Sequence, residues 1–174
     1  MEKSVFYIDN NKIFIPRICG PNKKIVLEKV PDNFDSTDYF EDSYIIPRDD
    51  AENIYIEELC DITIPAPDSY LPLNYYITNC NNINIQTNYW LCNNINIKDS
   101  TNVSYNTKLK TVTIENGTLI GSQKIDLLEL IGFKNCELPE CIKLCEKLVL
   151  TDSENITFPS GFDHKLVHTK LEYS

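Results

Sequence analysis

One spacing recurs along this chain and constrains its fold more than any other feature. In "CEKLVLTDSENITFP", residues 145–159, apolar side chains fall at Cys145, Leu148, Leu150, Ile156 and Phe158, and a proline closes the segment. "IDLLELIGFKNCELP" repeats those offsets at Ile125, Leu128, Leu130, Cys136, Leu138 and Pro139, and "NIYIEELCDITIP" at Ile54, Ile56, Ile62, Ile64 and Pro65. The opening "VFYIDNNKIFIP" reads the same way at Val5, Tyr7, Ile13, Ile15 and Pro16. Weaker copies supply Tyr75, Ile77, Ile83 and Ile85, then Cys92, Ile95, Ile97 and Val103, then Leu109, Val112, Ile114 and Leu119, the last one spacer short. The strand starts at 54, 75, 95, 112, 128 and 148 lie 16 to 21 residues apart.

Apolar-x-apolar marks a short strand with one face inward, because side chains alternate across a strand. The second apolar pair brings the chain back over the same core, and the proline ends pairing. One such unit cannot bury its own apolar face, whereas stacked units share a continuous core. The expected fold is an α/β to mainly β solenoid, a stack of short parallel strands with few short helices or 3-10 turns. "PECIKLCEKL" has the residues for one or two helical turns; the other return segments should be extended. Residues 51–174 form the regular solenoid. Residues 1–50 are read as degenerate repeats and a cap, with "KIVLEKV" (Ile25, Leu27) a second repeat, an acidic insertion after it, and Tyr39, Phe40 and Tyr44 pinning the insertion down.

At 174 residues the chain is about one domain. Isoleucine and asparagine are frequent, a bias that reads as codon usage rather than function. Five glycines in the whole chain argue against phosphate-cradling loops. The net charge of −10 is concentrated between Asp32 and Asp61, where eleven acids face one base, Arg48. No basic stripe exists to contact phosphates, so nucleic acid is excluded, and a partner steered by charge should be basic. No stretch approaches the ~20 apolar residues of a membrane span, and the N-terminus lacks an apolar signal region. Seven cysteines without disulfide-framework spacing suit a reducing compartment, so the expected location is the cytoplasm. The triplets opening at Asn102, Asn116 and Asn155 match the glycosylation pattern about as often as chance supplies it.

"LPECIKLCEKLVL" (138–150) and "FPSGFDHKLVHTKLEY" (158–173) resemble leucine-rich repeats of the LxxLxLxx…LP type, best from residue 51 to 174. The resemblance departs at the turn, where the family carries Asn or Cys. Only Cys80 matches; the other units have Leu59, Ser100, Gly117, Phe133 and Ser153. The resemblance implies a scaffold that holds another protein on its concave face. A strand-rich β-solenoid is the other reading of the same repeats.

Nucleotide loops, nucleophile elbows and HExxH are absent. His164 and His168, with Asp163, would offer an i,i+4 metal pair only on a helix, and no third ligand stands at useful spacing. Cys80, Cys92, Cys136 and Cys145 fall at inward positions and read as core. Neither a cofactor nor a metal is expected, and the chain is read as non-enzymatic. What remains is surface. Outward strand positions gather Tyr55, Glu57 and Tyr76 at one end, Lys98 and Glu115 between, and Leu127, Glu129, Ile131 and Val149 at the other. Exposed aromatics on rigid strands are binding anchors, and an outward apolar patch asks to be covered. The expected function is therefore a protein–protein interaction module, of the kind a host-interacting factor uses, with homo-oligomerisation open. The alternative is a small carbohydrate-active β-solenoid enzyme or lectin using an acidic rim, including Asp49-Asp50 and Glu57-Glu58.

Overall fold

The computed structural model describes residues 3–18, 24–47 and 52–170. Among them there is no α-helix, and 3-10 geometry is confined to Ser36–Asp38, Glu140–Leu144 and His164–Leu166. The strands are β1 (Lys3–Asp9), β2 (Lys12–Pro16), β3 (Lys24–Lys29), β4 (Tyr39–Asp42), β5 (Asn53–Glu57), β6 (Cys60–Ile64) and β7 (Leu73–Thr78). They continue as β8 (Asn81–Ile85), β9 (Cys92–Tyr105), β10 (Leu109–Ile120), β11 (Ile125–Ile131), β12 (Cys145–Thr151) and β13 (Val167–Lys170). The main sheet runs β13-β12-β11-β10-β9-β7-β5-β3-β1, every neighbour parallel, and ends in antiparallel β2 and β4. A second parallel wall pairs β6 with β8 and β8 with the far half of β9. The chain is a β-solenoid.

Register makes the repeat literal. Ile54, Tyr75, Ile95, Val112, Leu128 and Leu148 are consecutive partners across the sheet, as are Ile56, Ile77, Ile97, Ile114, Leu130 and Leu150. All twelve are buried and form two columns of one core. Residues of one strand two positions apart therefore stack on the same residue types in the next coil, which is how units too small to fold alone bury their faces.

The corners explain the asparagines. Asn79, Asn82, Asn102, Asn116, Asn135 and Asn155, with Asp61, Asp99, Asp152 and Glu58, all sit at φ between 48° and 57°. Asn and Asp tolerate this left-handed conformation better than other side chains with a Cβ. Their side chains also pair between coils: Asn82 Nδ2 donates to Asp61 Oδ1 at 2.7 Å, Asn116 Nδ2 to Asp99 Oδ1 at 2.7 Å, and Asn155 Nδ2 to Asn135 Oδ1 at 3.1 Å. Six of the asparagines thus serve the corners of the coils, a structural use beyond codon bias.

The beginning of the chain departs from the sequence reading. Val5 and Tyr7 face outward, while Phe6 and Ile8 are buried. Asn10 and Asn11, both at positive φ, turn β1 straight back into β2, so "VFYIDNNKIFIP" is a hairpin rather than a coil. β3 is a true repeat strand: Ile25 and Leu27 are buried and pair with Ile54 and Ile56. The acidic insertion leaves β3, places Phe34 among Tyr7, Phe14 and Tyr39 at ring separations of 4.9–5.0 Å, except for the 5.7 Å Tyr7–Tyr39 contact, and returns to the core at Ile45. Phe34, not Tyr44, is the anchor; Tyr44 stands exposed. Asp49 and Asp50 lie outside the described residues.

Tyr75 interrupts a column of aliphatic residues and is fully buried. Burial pushes its hydroxyl pKa far above the usual range. That hydroxyl and Thr87 Oγ1 face each other without a well-formed hydrogen bond. An unpaired buried hydroxyl costs about 1–3 kcal/mol. Tyr75→Phe is therefore expected to leave urea stability unchanged or raise it by about 1 kcal/mol, whereas a clear loss would show that the hydroxyl is bonded.

Candidate interaction face

Outward side chains of the main sheet form three rows across the coils. The middle row runs Val26, Tyr55, Tyr76, Asn96, Thr113, Glu129 and Val149. One neighbouring row runs Lys24, Asn53, Asn74, Asn94, Thr111, Leu127 and Lys147; the other contains Glu57, Thr78, Lys98, Glu115, Ile131 and Thr151. All nine residues singled out from the sequence lie on this one face.

They do not form one cluster. Tyr55 and Tyr76 stack with centroids 4.7 Å apart and planes 11° from parallel, which half-buries both rings. Lys24 Nζ lies 3.9 Å from the Tyr55 centroid. Desolvation, then Tyr76 and Glu57, raise the Tyr55 pKa, so the hydroxyl is a neutral donor at physiological pH. Leu127, Ile131 and Val149 surround Glu129 three strand steps from Tyr76, about 14 Å at ordinary strand spacing. Each is half-buried, and Glu129 accepts a 2.7 Å hydrogen bond from Thr151 Oγ1. Lys98 and Glu115 bridge the two clusters and pair with each other at 3.5 Å, an exposed contact worth under about 1 kcal/mol.

Lys24 is not among the residues singled out from the sequence, because it lies in the segment read as degenerate repeat and cap. The signal was present: Ile25 aligns with Ile54, so the residue before it must sit opposite Asn53. Asn53 and Asn74 stand in the same row as Lys24. Asn74 Nδ2 donates to Asn53 Oδ1 at 3.1 Å and Asn93 Nδ2 to Asn74 Oδ1 at 3.3 Å, a polar ladder along the edge of the tyrosine pair.

The other chemical candidates resolve differently. His164 lies in a 3-10 turn and His168 in β13, so the helical i,i+4 geometry needed for a shared metal does not form. His164 instead packs edge-on against Phe158 and Phe162 at 4.8 and 5.6 Å. No group of three His, Cys, Asp or Glu among the described residues is placed to hold a metal. Cys80, Cys92 and Cys145 are buried, but Cys136 is only half-buried, a correction to its reading as core. Burial pushes the thiols of Cys92 and Cys141 up to about 12 and Cys145 to about 11, which keeps them protonated and poor nucleophiles. Glu57 and Glu58 sit among Lys3, Lys24 and Lys29 in a shallow mixed-charge depression. No family model, curated protein or solved structure matches the chain.

Proposed function

We propose that the outer face of the main sheet is a protein-docking surface and that the chain acts as a non-enzymatic binding module. The observation that carries this reading is the stacked Tyr55–Tyr76 pair with Lys24 over it. Its ring geometry is set by strand register, so the rings lose little freedom on binding. Tyrosine supplies large contact area with few rotors, and anchors of this kind dominate interface energies. Basic Lys24 on one side and acidic Glu57 on the other give the patch a polarity that orients a partner. The leucine-rich-repeat resemblance of the C-terminal units supports the same role, and the half-buried Leu127, Ile131 and Val149 offer a second, apolar contact on that face.

Affinity capture with wild type and a Tyr55→Ala/Tyr76→Ala variant of matched stability tests it. The expected result is a partner held by wild type, lost at least about tenfold by the double variant, and recovered by Tyr55→Phe/Tyr76→Phe. A partner held equally by all three removes the tyrosine pair from the site.

A further inference from the structure

An asparagine loses its side-chain amide as ammonia when the backbone nitrogen of the next residue attacks the side-chain carbonyl carbon. A bulky next residue hinders that ring closure; glycine does not. The left-handed corners at Asn79, Asn82, Asn102, Asn135 and Asn155 precede Cys80, Ile83, Val103, Cys136 and Ile156. Asn116 precedes Gly117, and it is the only asparagine of the chain followed by glycine. The fold leaves little choice at either position. Residue 116 sits at φ 56°, where asparagine is well tolerated. A Cβ on residue 117 would lie 2.5 Å from the Ser100 carbonyl oxygen. The shortened corner between β9 and β10 thus calls for the dipeptide that closes most readily.

Asn116 is exposed, and its Nδ2 donates to Asp99 Oδ1 at 2.7 Å. At matching positions after other corners, the N–H groups of Cys80 and Phe133 donate to serine hydroxyls of the next coil, Ser100 at 3.0 Å and Ser153 at 3.1 Å. Continuing the register of Glu115 with Ile131 sets Phe133 opposite Gly117, and phenylalanine offers no hydroxyl to engage the glycine nitrogen. We propose that Asn116 is a site of spontaneous deamidation in the folded protein, and that the reaction loosens the seam between β9 and β10. The Gly117 nitrogen loses its proton to hydroxide and bonds to Asn116 Cγ. The Cγ–Nδ2 bond breaks, Nδ2 leaves as ammonia, and a succinimide ring remains. Water then adds to one of the two ring carbonyls and opens the ring to aspartate or isoaspartate; nothing is oxidised or reduced. Aspartate sets a second carboxylate against Asp99 where an N–H donor stood, a like-charge contact. Isoaspartate runs the main chain through the former side chain, adding one carbon to a corner already drawn onto Ser100.

The test is to hold the folded protein for weeks in mildly alkaline buffer, with a parallel sample unfolded in urea, and to map both by peptide mass spectrometry. Isoaspartate is identified with an isoaspartyl methyltransferase. In the folded sample, residue 116 should gain the mass of an amide-to-acid exchange ahead of every other asparagine. The modified fraction should melt about 3 °C or more below the unmodified one, and Asn116→Asp should shift in the same direction. Asn116→Gly keeps a residue suited to the corner, as Gly132 is at φ 72° in the next coil, and should hold its starting midpoint through the incubation. A residue 116 amide that reacts in urea but survives in the folded protein overturns the proposal. So does earlier reaction at another asparagine, a modified fraction that melts with the unmodified one, or an Asn116→Gly variant that loses stability as fast as wild type.

Discussion

Leu130→Asp is expected to cost about 4 kcal/mol or more, enough to bring a domain of ordinary stability close to unfolding. Leu130 is fully buried between Ile114 and Leu150 in the register of the sheet. The substitution removes a buried aliphatic side chain and puts an unpaired carboxyl in its place. The carboxyl escapes part of that penalty by staying protonated, so its folded pKa rises above the unfolded value of about 3.9. The folded state then binds more protons than the unfolded one, and stability falls as pH climbs from about 4 toward neutrality. Urea melts at both pH values should show the deficit smaller in acid, after subtraction of the wild-type change. Glu129 provides the comparison one residue away. Glu129→Gln keeps the acceptor for Thr151 Oγ1 and should stay within about 0.5 kcal/mol, whereas Glu129→Arg removes it and should cost about 1 kcal/mol. Equal damage at 129 and 130 would contradict the inward and outward assignment of β11.

That assignment was legible in the sequence because its physical basis is local. Alternation across a strand requires only the next residue but one, and six of the repeat units carry the inward pair where the structure buries it. The hairpin at the start defeated the same rule. "VFYI" has apolar residues at both parities, so alternation alone cannot choose between Val5/Tyr7 and Phe6/Ile8. The choice is made by long-range pairing with β3, in which Phe6 lies opposite Leu27. Phe34 was missed for a related reason: an aromatic residue between an asparagine and an aspartate reads as loop until the face it covers is known. The nine face residues were placed correctly as outward, but their grouping into two clusters depends on strand order and on which neighbours fill the gaps. Lys24, by contrast, lay within reach of the pattern, because Ile25 aligns with Ile54. The three glycosylation-like triplets have a structural account as well. Asn102, Asn116 and Asn155 are all left-handed corners.

The one shortened unit leads to the last expected result: Gly117→Ala should cost about 2–3 kcal/mol, although alanine is acceptable in most strands. Between β9 and β10 the register holds at Gly117 opposite Ser100, then slips, so that Leu119 faces Val103. Coil β9 has Thr101 and Asn102 in that interval where β10 has only Thr118. The missing residue draws the β10 corner onto β9. Thr118 Oγ1 accepts from the Asn102 N–H at 2.8 Å, and a Cβ on Gly117 would lie 2.5 Å from the Ser100 carbonyl oxygen and 3.0 Å from Ile97 Cγ2. A backbone oxygen cannot swing aside as a side chain can. In the same column Ser100 Oγ accepts from Cys80 N–H at 3.0 Å and donates to the Lys98 carbonyl at 2.9 Å, so moving Ser100 also strains the next coil. Glycine at 117 is required by close approach and not by φ. Gly132 is the opposite case: it sits in the left-handed corner column at φ 72° with open space around it. Gly132→Asn should therefore be tolerated within about 0.5 kcal/mol, since asparagine fills equivalent corners at 79 and 116. Denaturant melts of the two variants separate the two demands. If Gly117→Ala were as mild as Gly132→Asn, the shortened corner would have to relax freely, and the close approach of β10 to β9 would not be what the missing spacer imposes.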